Sequence, residues 1–457
     1  MLTGPPTLPV LGNLHQIPRK GSYLKFTEWA KQYGGLYSLK LGTATAVTIT
    51  DRRVIKELVD KRNHLLVMQY GQQWRSFRRI IHQHFMESMV EKHLLEVQNA
   101  EAVQMLRDMC VRPDQHMLHP KRFSNSIIMS LVLGLRTPSV DTPHMTRLYD
   151  MMLMEPGATP PVDIYPLFHY IPQKLLGNWR SRSQDVGAEM NDLYASVLDH
   201  VQKRRKLKGH QESLMDTLLD QEGKFNLNCH QLYFLGGVLM EGGSDTTSSL
   251  ILAFIHAMTK WGHVLQKAQR EIDSVIGEDR TPVWSNYAQL PYVATIVKEA
   301  QRWRPVVPLA FPHAAAEATS SIPKDATVII PDIFDPDHYK GQTTLAPELA
   351  AAADYENRDH YGYGSGRRIC PGIHLAERNL FLAIAKLIWA FSIEPSLDEH
   401  GQPIEYDFSP GTGYSEGFLV CVKDFPCMIK PRSEARQATI MRELDVAQRN
   451  VFSRCET

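Results

Sequence analysis

The sequence predicts a mainly α-helical protein with a small β-sheet region. Three observations carry that expectation. Helical runs recur along most of the 457 residues, two short β-rich runs lie close together near the start, and no linker, low-complexity tract or fixed-period repeat divides the chain. Residues 1–457 are therefore expected to form one large domain with a deep core.

The stretch 4–18 opens with Pro5, Pro6 and Pro9, which lack amide donors, so it suits a stiff lead-in over the surface rather than a helix. Tyr37–Leu41 and Ala46–Thr50 read as strands joined by a turn around Gly42, and Asp51 can cap a helix running to about Asp60. Helices are expected at Gln72–Phe85, Val90–Asp108, Arg122–Leu133 and Gln184–Lys206. The longest covers about 228–260 and would stretch about 50 Å at the standard rise. It is followed by His263–Ile276 and by Pro291–Arg302, which Pro305 stops. Thr327–Ile330 and Phe418–Val422 read as further strands, and Pro371–Phe391 as a strong amphipathic helix.

The 50 basic and 50 acidic side chains cancel, which argues against a dedicated nucleic-acid binder. The six cysteines show no CxxC or CxxH spacing, so neither a zinc site nor a disulfide framework is expected, and a reducing compartment fits best. No secretory signal is visible, and no apolar run reaches the roughly twenty residues a membrane span needs. Leu232–Met240 and Ser248–Met258 are separated by Glu241 and Asp245, and Leu380–Phe391 is short and carries Lys386.

The segment from Tyr363 to Gly372 is the most informative. Gly362, Gly364 and Gly366 ahead of Cys370 allow a sharp turn, and Pro371 suits the first turn of a helix, so the thiol is expected at that helix's positive end. Such a position lowers a thiol's pKa. A thiolate is the ligand that pushes electron density into haem iron and favours O–O cleavage. Gly372 would let the backbone pass close to a flat macrocycle. The rival readings are a metal-free catalytic thiol and an inert buried cysteine. The loop resembles the haem-binding loop of the cytochromes P-450, in which an aromatic, a glycine, an arginine, the cysteine and a further glycine match Tyr363, Gly366, Arg368, Cys370 and Gly372. The family usually has Phe where this chain has Tyr363.

Within the long helix, Gly242-Gly243-Ser244-Asp245-Thr246-Thr247 interrupts an apolar run. Two interior glycines cost about 1 kcal/mol each relative to alanine, so helix propensity does not explain them. They would let a flat cofactor or dioxygen approach the backbone, and a following threonine can bond back to a carbonyl and open a kink. A packing groove between helices is the bland alternative. The same family resemblance assigns Asp245 and Thr246 to proton delivery during oxygen activation.

Glu299 and Arg302 share one helix face and can pair. Such pairs are ordinarily solvated and contribute roughly 0.3–0.5 kcal/mol. The resemblance makes this pair buried and structural, and puts His338 where the family's third member, an arginine, usually stands. Trp74 and Arg78 lie at i and i+4 on one helix, which on its own reads as an ordinary basic surface helix. The resemblance makes them partners of the haem propionates, with His313 and Arg368.

The resemblance runs from the Pro-rich start to about Lys430 and is nearest to fungal microsomal members acting on secondary metabolites. It implies a helical domain enclosing haem b with an axial thiolate, and a monooxygenase that puts one atom of O2 into an apolar small molecule. Electrons would come from an NADPH-dependent flavoprotein reductase, because no dinucleotide-binding βαβ unit is visible. Rival expectations are a haem-thiolate isomerase or dehydratase, and an inactive haem-binding product. Three places run short of the family pattern: about twenty residues near Arg62–Val67, a few between His313 and Pro323, and a stretch between Pro331 and Asp332. A pocket left open near Arg62–Val67 is expected to follow. The family's apolar anchor ahead of the Pro-rich start is also not seen. With that anchor the resemblance implies the endoplasmic reticulum surface. As written, the chain reads as cytoplasmic with peripheral membrane contact at most.

Overall fold

The computed structural model describes residues 4–18, 22–33, 36–41, 44–49, 71–153, 172–176, 178–225, 227–308, 333–353, 358–359, 361–364, 366–415 and 419–455. Helix dominates them. After α1 (Ser22–Tyr33), strands β1 (Leu36–Leu41) and β2 (Ala44–Ile49) form an antiparallel pair with Leu36 opposite Ile49. The helices α2 (Gln72–Phe85), α3 (Leu95–Val111) and α4 (His119–Ile128) follow. A π-helical turn, Val90–Leu94, leads into α3, and another, Met129–Leu133, extends α4. Then come α5 (Pro143–Leu153), α6 (Trp179–Lys208) and α7 (Leu214–Asp220).

The long central helix is not continuous. It divides into α8 (Cys229–Ser244) and α9 (Thr246–Lys260), with Asp245 between them at φ −101° and ψ −32°. Its start is set by Asn228, whose side chain accepts the Gln231 amide at 2.8 Å while the Gln231 side chain accepts the Asn228 amide at 3.0 Å. Next are α10 (Gly262–Val275) and α11 (Pro291–Trp303), which opens on proline as the sequence suggests. The helix after the cysteine loop, α12 (Ile373–Ala390), begins two residues later than expected. Finally, β3 (Phe391–Pro395) pairs antiparallel with β4 (Cys427–Pro431), and α13 (Glu434–Ala447) runs on into a π-helical turn, Gln448–Phe452.

The expected strand over Phe418–Val422 is corrected. Phe418 lies outside the described residues, and beyond it only Val422 makes an isolated bridge, to Tyr414. The ladder forms instead between Phe391–Pro395 and Cys427–Pro431, on the far side of Pro426, which has no amide to donate. The expected helix from Asp51 to Asp60, the strand at Thr327–Ile330, and the short places near Arg62–Val67, His313–Pro323 and Pro331–Asp332 lie outside the described residues.

The core gathers on α9 and α12. Every residue of α12 from Leu380 to Ala390 is buried, including Lys386, whose ammonium bonds the Thr281 hydroxyl and is pushed down by burial to about 8. Helix α8 packs between α4 and α6, while α3 packs on α4, α12 and α13. Close approach explains two glycines of α8. A Cβ at Gly237 would stand 2.2 Å from the Tyr194 ring, and one at Gly243 would stand 2.5 Å from Ile128. Among the described residues no helix is long and apolar enough to cross a membrane.

Candidate active site

The cysteine loop folds as a tight hairpin ahead of α12. Gly364 (φ 80°) and Gly366 (φ 69°) take left-handed backbone that a side chain would strain. The turn closes through the Cys370 amide, which donates to the Tyr363 carbonyl at 2.7 Å, and the Ile369 amide, which donates to Gly366 at 3.1 Å. The Tyr363 hydroxyl in turn accepts Gln301 Nε2 at 2.8 Å, fixing the loop to α11. A Cβ on Gly372 would stand 3.9 Å from the Cys370 sulfur.

Cys370 therefore precedes the helix rather than sitting in its first turn. Burial pushes its thiol up, against the Gly372 amide and the Arg78 guanidinium, which both favour the thiolate. The expectation that the helix start, together with nearby amides, lowers the thiol is corrected: the Gly372 amide does act in that direction, but desolvation outweighs it. A metal cation on the sulfur reverses that balance, because a coordinated thiol is deprotonated outright.

Helix α2 brings Trp74 and Arg78 to this loop. Trp74 is buried, and the Arg368 guanidinium stacks over its ring at 4.9 Å. Arg78 donates to the Ile369 carbonyl, one residue before the cysteine. Burial lowers the pKa of both arginines, that of Arg368 to about 10. His313 lies outside the described residues. A sulfur that faces the Arg78 guanidinium, with a second guanidinium, two residues away on the loop, stacked on an indole, suits an anionic prosthetic group with a soft-ligand metal. Among the described residues no group of three His, Cys, Asp or Glu side chains could hold a metal ion.

At the α8–α9 break, side chains take the backbone carbonyls. Thr246 Oγ1 donates to Gly242 at 2.9 Å, Ser124 Oγ to Gly243 at 2.8 Å, and both Tyr149 (3.3 Å) and Ser248 (3.2 Å) to Ser244. Asn125 holds the Ser244 hydroxyl at 2.9 Å. The break is thus a hydrogen-bonded feature, consistent with the kink anticipated from the threonine. Burial pushes the Asp245 carboxyl up, while Lys121 and Ser248 work in the other direction. Ser124, Asn125, Lys121 and Tyr149 had no motif to mark them. The one available signal was the polar run Ser124-Asn125-Ser126 inside an expected helix.

The Glu299–Arg302 pair is far from the solvated case. Arg302 bonds both Glu299 oxygens, at 2.6 and 2.5 Å, and Glu299 also accepts the Asp335 amide at 2.6 Å with its side chain fully buried. His338 does stand beside it, its Nδ1 3.6 Å from Glu299 and 2.8 Å from the Asp335 carbonyl. Glu299→Ala should cost about 3 kcal/mol, because it strands Arg302 and the Asp335 amide together. Urea unfolding measures this. A loss below about 1 kcal/mol, the scale of an exposed pair, would show that solvent already serves these groups.

The cytochrome P450 family model matches residues 2–413. Among similar proteins, the cytochrome P450 monooxygenase macC of Penicillium terrestre is 47% identical, the match covering 99% of this chain and 94% of that protein. The monooxygenase atE of Aspergillus terreus is 49% identical over 99% of this chain and 91% of its own length. The monooxygenase yanC of Aspergillus niger is 47% identical over 98% and 93%. These alignments run over 502, 493 and 498 residues, longer than the 457-residue chain, so the relatives carry internal residues that it does not. With most of its length inside the family model and near-half identity to several full-length members, the chain belongs to the cytochrome P450 family of haem-thiolate monooxygenases.

Proposed function

We infer that the whole chain works as one haem-binding domain that inserts one atom of O2 into an apolar small molecule, in fungal secondary metabolism. The observation that supports this most is the convergence of Trp74, Arg78 and Arg368 on the loop that carries Cys370. Cys370 is the iron ligand, and Trp74, Arg78, His313 and Arg368 hold the propionates. Tyr363, Gly366 and Gly372 shape the loop around the sulfur. Haem b, when bound, supplies the oxygen activation, which the charge donated by a thiolate favours.

The chain's own task is protons, electrons and water. Asp245, whose carboxyl burial pushes above the ordinary carboxylate range, exchanges the proton, and the adjacent Thr246 hydroxyl passes it inward from the break. Arg367, exposed on the loop, helps dock an NADPH-dependent flavoprotein reductase. The ferrous–carbonyl spectrum of the purified protein tests the ligand, and labelled O2 tests the reaction. A strongly red-shifted Soret band and label in the product are expected. A band in the position given by an imidazole ligand, or product without label, would overturn the proposal.

A further inference from the structure

The helix that follows the cysteine loop carries a buried carboxyl group with no part in the site described above. Glu377 lies in the second turn of α12, is 8% exposed, and accepts the Ala346 amide on Oε1 at 2.8 Å. Its Oε2 is buried and has no hydrogen-bond partner among the described residues. A carboxylate can accept from several donors, and one amide compensates poorly for taking the charge out of water.

Its neighbours come from each element packed around it. On α11, Lys298 donates its ammonium to the Thr344 carbonyl at 2.7 Å, so it acts on Glu377 through space and not as an ion pair. On α12 itself, Arg378 is engaged by Glu87 and Glu91. Glu348, on the short helix Ala346–Ala351, adds a second negative charge. Tyr287, from the turn Trp284–Gln289, and Tyr363, from the cysteine loop, contribute neutral phenols. Burial, with Glu348 behind it, outweighs the Ala346 amide and the two cations and pushes Glu377 up to about 7. Tyr363 links this carboxyl group to the iron ligand. Its phenol, held by Gln301 at 2.8 Å, feels the charge of both Glu377 and Cys370, while its carbonyl accepts the Cys370 amide at 2.7 Å. Charges in such a buried setting are weakly screened.

We propose that Glu377 takes up a proton when the haem iron is reduced and releases it on reoxidation, and so sets how the reduction potential varies with pH. One electron arrives from the reductase and one proton from solvent, so the negative charge gained at the iron is matched by the carboxylate charge lost. Linkage makes the effect reciprocal: an ionised Glu377 lowers the potential, and reduction raises the proton affinity of Glu377. This inference rests on the reading of Cys370 as the iron ligand.

Spectroelectrochemical titration of the haem-loaded protein on both sides of neutral pH reads the midpoint potential directly. The parent potential should fall as pH rises through the Glu377 transition. A threefold change in Glu377 proton affinity corresponds to a fall of roughly 28 mV, at about 59 mV per tenfold for one electron. Glu377→Gln keeps an acceptor for the Ala346 amide but cannot ionise, and should lose that fall and hold the parent's acid-side potential. Lys298→Gln removes the neighbouring cation, keeps a donor for Thr344, and should move the transition to higher pH. Infrared difference spectra on reduction should show a protonated-carboxyl band that Glu377→Gln lacks. A flat parent profile, or a band that persists in Glu377→Gln, overturns the inference. So does a slope that survives in that variant, which would assign the titration to another group such as His374, beside Glu87, Glu91 and His82. The carbonyl spectrum of the same samples tests the ligand reading separately, so the two failures are distinguishable.

Discussion

Cys370→Ser abolishes the red-shifted ferrous–carbonyl band, while separate replacement of Cys110, Cys229, Cys421, Cys427 or Cys455 leaves it in place. A neutral serine hydroxyl donates far less charge to iron than a thiolate, so the spectral signature is lost outright rather than reduced. The other described thiols lack the Arg78 guanidinium and Gly372 amide that favour the thiolate at Cys370. Cys229 is exposed, and burial without a nearby guanidinium pushes Cys427 up to about 12. Cys421 is raised to about 11 by burial and by Asp245. Monooxygenase turnover should fall to background with the band. Retention of the band in Cys370→Ser would move the ligand elsewhere and unmake the proposed site.

Thr246→Ala keeps haem bound and keeps the carbonyl band, yet sends most reducing equivalents to peroxide. The threonine hydroxyl bonds the Gly242 carbonyl at 2.9 Å, at the break beside Asp245. Alanine is the better helix former, so loss of stability does not explain the effect. What disappears is the hydroxyl that relays a proton, and a positioned acid–base group is typically worth about 10²-fold in its step. Product formed per NADPH consumed is the measurement, with peroxide as its complement. Thr246→Ser restores the hydroxyl and should recover coupling. Equal product per NADPH in Thr246→Ala and the parent would remove the residue from the mechanism.

Local pattern carried far along this chain. Helix α2 is bounded at Gln72 and Phe85 as its apolar spacing suggests, α11 opens on Pro291 as its proline requires, and the β1–β2 hairpin falls within a residue or two of its expected place. The motif residues of the loop could also be picked out, because glycine and proline constrain the backbone whatever lies around them. Helices α1, α5, α7 and α13 escaped, and so did the β3–β4 pair, whose five-residue strands are too short for periodicity to separate from helix.

What sequence could not convey is how distant groups meet. Residue spacing marks Thr246 as a kink former, but the break at Asp245 is also held by Ser124 and Tyr149, more than ninety positions away. Glu299 and Arg302 look like any surface pair until the chain at Ile333–Asp335 covers them. Cys370 illustrates the division most clearly. Its identity, its glycines and its following helix are written in ten consecutive residues, whereas its protonation depends on burial against Arg78 nearly three hundred residues earlier. Backbone conformation is a short-range property and follows from neighbours in the chain, while desolvation and charge pairing depend on what the folded chain packs alongside.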